Sequence, residues 1–380
     1  MTALAKIQEL RADLTVRFPE RKEVIDGCLA AVLAGEHILL LGPPGTAKSA
    51  LVRAIAQAFR GVYFERLLTK FSTPDELFGP VSLVGLQHDR FTRIVTGKLP
   101  EAEFGFVDEV FKGSSAILNT MLTLVNEKVF HNDGTPMNCP IVSLFGASNE
   151  LPEGKELEAL FDRFLMRFNV DYVLRPSSFR AILRAPEPIP AVSLSMDLLR
   201  EAQDQAAKVT ITDETIQALI AIRDACRAEG IIASDRRWKK TLKAVQATAY
   251  LAGEAATTPE DLLILTHALW REPKEHTKVA HLVGKLADPV SAQAAEILDI
   301  ARDTSGKIAG LRTTVDRKEF VAQAAQALED FTAQQKRLED LAKAAGTRAK
   351  QTISEARQEI AQLHSDLART LTAGLGIGAQ

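Results

Sequence analysis

Two short strings in this chain carry residue types spaced for phosphate chemistry. The first, GPPGTAKS, occupies residues 42–49. A glycine- and proline-rich turn at the start of a helix aims its backbone N–H groups inward, where they and the helix dipole attract phosphate oxygens. Gly42, Pro43, Pro44, Gly45, Thr46 and Ala47 would form that cradle, and Ala50 would continue into the helix. Lys48 would reach the β and γ phosphates, and the Ser49 hydroxyl would ligate Mg²⁺. Ala47 stands where such loops usually place a second glycine, and an alanine is accommodated there if its φ is negative. The second string, AEFGFVDE, ends an apolar run in Asp108 and Glu109. Asp108 would hold Mg²⁺, often through a water, and Glu109 would polarise an attacking water as general base. With about sixty residues between them, the two strings point to binding and hydrolysis of ATP, with ATP and Mg²⁺ as cofactors.

These side chains need a sheet to hold them. The first half of the chain alternates short β-branched or Leu-rich runs with helical patterns, which predicts an α/β domain with a mostly parallel sheet. Strands are expected at 37–41, 62–65, 105–108, 141–147 and 167–173. The carboxyl ends of such strands are where ligands of open α/β sheets bind. An insertion at 71–100, with Gly79, Gly85 and Gly97 as turn residues, contains an alternating run at 90–95 that predicts a hairpin. Pro186, Pro188 and Pro190 mark 185–191 as a linker. The domains read as an α/β nucleotide-binding core at 1–190, a small all-α module at 191–275 and a C-terminal helical domain at 276–380. In the second, Thr212 or Asp213 caps a helix that Gly230 closes. In the third, heptad-like spacing of Phe331, Leu338, Ile353 and Ile360 predicts long packed helices, broken near Gly306 and Gly310 and bent at Gly346.

Composition narrows the rest. The chain has 380 residues, 46% hydrophobic and 25% charged, with a formal net charge of -3, which leaves no electrostatic footprint for nucleic acid. Cys28, Cys139 and Cys226 lack disulfide or zinc spacing, and His37, His88 and His131 have no ligand-like partner three or four residues on. Neither a signal-peptide core nor an apolar membrane-spanning run is visible, so a cytoplasmic protein without membrane insertion is expected.

The strings VDEVFKGSSAILNTMLTLVNEKVF, GASNELPEG and ALFDRFLMR, together with GPPGTAKS, resemble the AAA+ core of the MoxR family. FSTPDELFGPVSL and SDRRWKKTLKAVQATAYLAG are similar to strings of that family's RavA branch. The resemblance implies an AAA+ P-loop core, a small all-α lid and a homo-oligomeric ring, commonly a hexamer. It further implies a chaperone-like ATPase that remodels or matures client proteins with a von Willebrand factor A (vWA) domain partner. Residue by residue, it implies that Asn149 is sensor 1, orienting the lytic water, and that Arg163 is the arginine finger, with Arg167 a second candidate. Arg236 or Arg237, with Arg236 preferred, would be sensor 2, touching the γ-phosphate of its own subunit. The insertion at 71–100 would be either a loop projected toward the ring axis or a passive cover of the sheet. The readings weighed against this one are a nucleotide-gated scaffold that does not hydrolyse, a DNA-remodelling AAA+ motor and a metal-chelatase motor subunit.

Overall fold

The computed structural model describes residues 2–152, 155–184, 191–311, 317–345 and 347–375, and it divides into two compact units, Met1–Val279 and Ala280–Gln380. In the first unit, α1 (Ala3–Arg17) and α2 (Lys22–Ala34) precede β1 (His37–Leu41), and α3 (Lys48–Ala58) leads to β2 (Tyr63–Leu67). Two short helices, α4 (Pro74–Phe78) and α5 (Leu83–Leu86), lie in the insertion before β3 (Phe104–Asp108) and α6 (Ser115–Glu127). Then come β4 (Val129–Asn132), β5 (Thr135–Asn138), β6 (Ser143–Ser148), α7 (Lys155–Phe161), β7 (Phe164–Asn169) and α8 (Pro176–Arg184). The unit continues with α9 (Met196–Ala207), α10 (Asp213–Ala228), α11 (Asp235–Ala252) and the start of α12 (Pro273–Ala287).

Five strands form one parallel sheet in the order β2-β3-β6-β1-β7. Strands buried on both faces need apolar residues at every position rather than at alternate ones. HILLL in β1 and SLFGAS in β6 meet that need, with every residue buried. The last strand is displaced from the expected 167–173 to Phe164–Asn169, because Arg167 lies inside it rather than at its start. The apolar core runs from α1 and α2 across the sheet to Leu199 and Ala202 of α9 and Ala244, Ala247 and Leu251 of α11. The helices after residue 190 therefore share one core with the sheet; the expected linker at 185–191 lies, apart from Ala191, outside the described residues.

The expected hairpin at 90–95 does not form. That run instead meets 80–82 through a single antiparallel bridge, Val81 to Arg93, with α5 between the two segments. The hairpin of this region is β4-β5, turning through Asp133 and Gly134, both at positive φ. Asp-Gly is a strong signal for such a two-residue turn.

The second unit begins within α12 and contains α13 (Pro289–Leu311), α14 (Arg317–Ala344) and α15 (Thr347–Leu375). Phe331, Leu338, Ile353 and Ile360 are buried with Ile297 and Ala301, so the heptad spacing serves packing among the three helices. α13 runs through Gly306 and ends at Leu311, one residue past Gly310, so the helix end expected near Gly310 is met and a break at Gly306 is not. The expected bend at Gly346 lies outside the described residues. Among the described residues no helix is long and apolar enough to cross a membrane.

Candidate functional site

The carboxyl edge of the sheet gathers both sequence strings. Gly42 leaves β1, and its N–H donates to the Ser148 carbonyl at the end of β6, 3.0 Å away. Gly42 has φ +148, and a Cβ on it would meet the Val170 carbonyl oxygen at 2.2 Å, so a side chain cannot fit there. Thr46 is buried, its hydroxyl donating to the Pro43 carbonyl at 3.0 Å and tightening the loop. Ala47 corrects an expectation: its φ is +66, left-handed, and it precedes the first turn of α3. The chain adopts at alanine the conformation that glycine would take there without a Cβ penalty.

Lys48 turns back over the loop, donating to the carbonyls of Gly42 at 2.7 Å and Pro43 at 2.8 Å. Burial lowers its pKa, and the carboxylates of Asp108 and Glu109 pull the other way, so these three groups share one electrostatic neighbourhood. Ser49 and Ala50 are half-buried in the first turn of α3.

Asp108 ends β3 and Glu109 follows in the left-handed region at φ 51. The Asp108 carboxylate accepts the Glu109 N–H at 2.9 Å, which fixes the strained turn. Lys112 Nζ stands 3.1 Å from Glu109 Oε2, an ion-pair distance without hydrogen-bond angles, so this buried oxygen accepts no hydrogen bond. The charge of Lys112 thus holds this oxygen without a directed hydrogen bond, which leaves its hydrogen-bonding capacity unused. Asn149 follows β6, which lies between β3 and β1, so this exposed amide sits at the sheet edge between the loop and the paired carboxylates.

The arginines lie at the other end. Arg163 sits between α7 and β7, before Phe164, which pairs with His37 at the start of β1. Arg236 pairs with Asp162 at 2.8 Å, Arg163 stands 3.6 Å from the same carboxylate, and Lys240 pairs with Glu36 at 2.6 Å just before β1. All of them flank the amino ends of the strands, whereas the phosphate loop leaves the carboxyl end of β1. The five residues of β1 separate the two edges by about 17 Å. Arg236, expected to touch the nucleotide of its own subunit, thus lies at the opposite edge of the sheet from its own phosphate loop.

Arg237 is a structural residue. Only 4% exposed, it donates to the carbonyls of Asp162 (2.8 Å), Phe164 (3.1 Å), Leu165 (3.0 Å) and Ala268 (2.7 Å). It thereby covers the open edge of β7, where a further strand would otherwise pair. Arg167 is also not a finger: it is 2% exposed, stacks 3.9 Å from the Phe161 ring and donates to the carbonyls of Trp270 and Phe161. It is carried by β7, where alternate side chains point inward, and not by a continued helix.

Sequence reasoning missed Tyr172, whose hydroxyl donates to the Pro44 carbonyl at 3.2 Å. It also missed Glu20, which accepts the N–H groups of Leu174 and Arg175 at 2.8 and 2.9 Å and ties the turn after α1 to the segment beyond β7. Neither residue belongs to a local motif, so only the fold brings Tyr172 to the loop and Glu20 to the segment beyond β7.

The chain matches, over residues 5–220, the family described as the MoxR domain in MoxR-vWA-β-propeller ternary systems, and over 214–283 an AAA lid domain. An uncharacterized protein of Methanocaldococcus jannaschii is 43% identical over 77% of this chain and 79% of its own length. Protein MoxR of Paracoccus denitrificans is 25% identical over 70% of this chain and 88% of its own. A solved structure from Cytophaga hutchinsonii, an inferred ATPase, has the same fold with a TM-score of 0.61 at 20% identity, covering 75% of this chain and 94% of its own. These matches identify the family without singling out its RavA branch, and they agree with the phosphate loop, the paired carboxylates and the lid: the chain belongs to the MoxR family of AAA+ ATPases.

Proposed function

We propose that the chain is a Mg²⁺-dependent ATP-hydrolysing motor that works in the cytoplasm as a homo-oligomeric ring, most simply a hexamer. Its work would be to remodel or mature a client protein together with a vWA-domain partner. The observation that carries the catalytic part is Glu109, held at the carboxyl edge of the sheet with a buried oxygen that accepts no hydrogen bond.

The residues present fit a bound nucleotide and its metal. The Gly42 backbone leaves no room for a side chain, Lys48 is already confined to the loop, and Ser49 and Asp108 offer the oxygen ligands for Mg²⁺. When bound, Mg²⁺ neutralises charge on the phosphates. In this reading Lys48 releases the Gly42 and Pro43 carbonyls to meet phosphate oxygens, and Glu109 accepts the proton of the attacking water. Asn149 orients that water from β6. Arg163 and Arg236, a strand length from their own loop, serve the site of a neighbouring subunit, where a guanidinium stabilises charge as the phosphoryl group departs. That requirement supports a head-to-tail ring. The vWA partner rests on the ternary systems named for the matched family. The free, buried state of Cys28, Cys139 and Cys226 suits a reducing cytoplasm.

Complementation tests the reading. Glu109→Gln and Arg163→Ala chains should each bind nucleotide but turn it over poorly. Mixed in equal amounts, they should recover activity at about a quarter of the sites, where an intact Glu109 meets an intact neighbouring Arg163. No recovery, in assemblies shown to be mixed rings by copurification of one tagged variant with the other, would remove the trans finger. Wild-type chain without turnover would leave the nucleotide-gated scaffold in its place.

A further inference from the structure

Beside the arginine cluster, a cavity of about 530 Å³ lies between the α7-β7 flank and the start of α11, with Leu151, Phe161, Arg167, Ile232, Arg237 and Leu269 on its walls. Arg167 is the unusual wall residue. Its two terminal nitrogens are satisfied by backbone carbonyls, but Nε is buried without an acceptor, and no carboxylate lies within ion-pair reach among the described residues. Burial and the adjacent Arg237 cation both lower its pKa. A guanidinium 2% exposed, on which Asp162 and Glu275 act only from beyond ion-pair distance, carries a desolvation cost of roughly several kcal/mol.

The acids on the same walls do not neutralise it. Asp162 is divided between Arg236 and Arg237, Glu272 pairs with Lys274 at 2.5 Å, and Glu158 is exposed. The amino end of α11, an 18-residue helix capped by Ser234, adds its positive dipole to the wall. Arg271 adds a further cation to the wall, the rest of the surface is apolar, and the volume exceeds what a bare inorganic ion needs.

We propose that this cavity binds a small organic carboxylate, its anionic head on Arg167 and its apolar body against Leu151, Ile232 and Leu269, while Arg237, whose five N–H groups already have acceptors, contributes only its charge. A monoanion fits better than a dianion, because Asp162 and Glu158 would repel a second charge. Because Arg167 belongs to β7 and Ile232 lies just before α11, the bound acid ties the sheet to the lid helices. The carboxylate has two possible sources, a free short-chain acid or the C-terminus of a peptide.

Calorimetric titration of the full chain with hexanoate, and separately with N-acetyl-Ala-Leu, tests the site. The controls are hexanol and the amide of the peptide, which lack the charge. At least one carboxylate should bind about tenfold or more tighter than its neutral control, as loss of a charge-assisted hydrogen bond predicts. Whichever acid binds tighter identifies the source. Ile232→Trp, which places bulk at an exposed wall position and leaves both arginines intact, should weaken binding about tenfold while the thermal midpoint stays at the wild-type value without ligand. Lys48→Ala should leave binding unchanged. Silence from both acids, equal binding of the neutral controls, indifference to Ile232→Trp, or loss of binding in Lys48→Ala would each overturn the proposal. The last would assign the anion to the phosphate loop.

Discussion

Neighbouring arginines at the start of α11 should behave very differently when replaced. Arg237 makes four hydrogen bonds to carbonyls of the β7 edge and Ala268, plus a 3.3 Å contact with the Asp162 carboxylate. Charge-assisted bonds are worth about 1.5–3 kcal/mol each, so the gross loss on Arg237→Met is about 6–12 kcal/mol. Against this stands the roughly several kcal/mol no longer needed to strip water from a guanidinium, leaving a net cost of about 3–5 kcal/mol. Arg236, with its side chain 48% exposed and a single ion pair to Asp162, should cost at most about 1 kcal/mol when replaced by Met. Arg237→Lys should fall between, because one ammonium cannot span four acceptors. Both tryptophans, Trp238 and Trp270, lie in the Met1–Val279 unit, so their fluorescence during urea unfolding follows that unit alone. The two Met variants unfolding within about 1 kcal/mol of each other would refute the view that Arg237 holds the open edge of the sheet.

Three further outcomes follow from individual residues. Glu109→Gln should bind ATP as wild type does while turnover falls about 10²–10⁴-fold, and a fall confined to binding would deny its role as base. Ala47→Gly should relieve a left-handed alanine costing about 1–2 kcal/mol, less about 0.5–1 for glycine's chain entropy. A gain near 1 kcal/mol would raise the thermal midpoint by about 2–4 °C, and a lowered midpoint would contradict the backbone argument. His37 is buried, its Nε2 donating to the Val125 carbonyl at 2.9 Å and its Nδ1 accepting the Leu144 N–H at 3.0 Å, and burial drives its pKa down to about 3. The unfolded imidazole takes up a proton near pH 6.5 while the folded one stays neutral, so its contribution is present above pH 6.5 and lost as pH falls toward 3. Wild type should therefore lose about 2 kcal/mol more than His37→Asn between pH 6.5 and 5 in urea unfolding, and equal losses would show that the buried imidazole is not the cause.

What was legible in the sequence was chemistry confined to short strings. GPPGTAKS and the Asp108-Glu109 pair could be read because a phosphate loop and a strand-end carboxylate are each built by neighbouring residues. The heptad spacing of Phe331, Leu338 and Ile353 was readable for the same reason. The strand holding Arg167 was harder, since an arginine inside FLMRFN interrupts an apolar run and looks like a boundary; only the carbonyls of Phe161 and Trp270 explain its burial. The β4-β5 hairpin was missed although Asp133-Gly134 signals it, because the alternating run at 90–95 competed for the same reading. Choosing between Arg236 and Arg237 required knowing which face of α11 meets β7. Both stand in one basic run, and a single residue of helical rotation separates a buried latch from an exposed ion pair.

That rotation bears on how hydrolysis could be felt. Asp162 joins Arg163 of the sheet domain to Arg236 of the lid at the amino edge of the sheet, while Lys48 and Glu109 stand at the carboxyl edge. Guanidiniums that share one carboxylate, here Arg163, Arg236 and the buried Arg237, cannot be drawn to a phosphate independently, because a pull on one alters the partner left to the others. A neighbour's nucleotide approaching this edge would thus engage core and lid together, and loss of its terminal phosphate would release both. On this logic Asp162→Asn should uncouple them: the response of turnover to ring assembly becomes shallower, and stability falls as well, because the same carboxylate faces the buried Arg237 at 3.3 Å. If turnover in Asp162→Asn rises with assembly as steeply as in wild type, the shared carboxylate is a local ion pair and the coupling runs elsewhere.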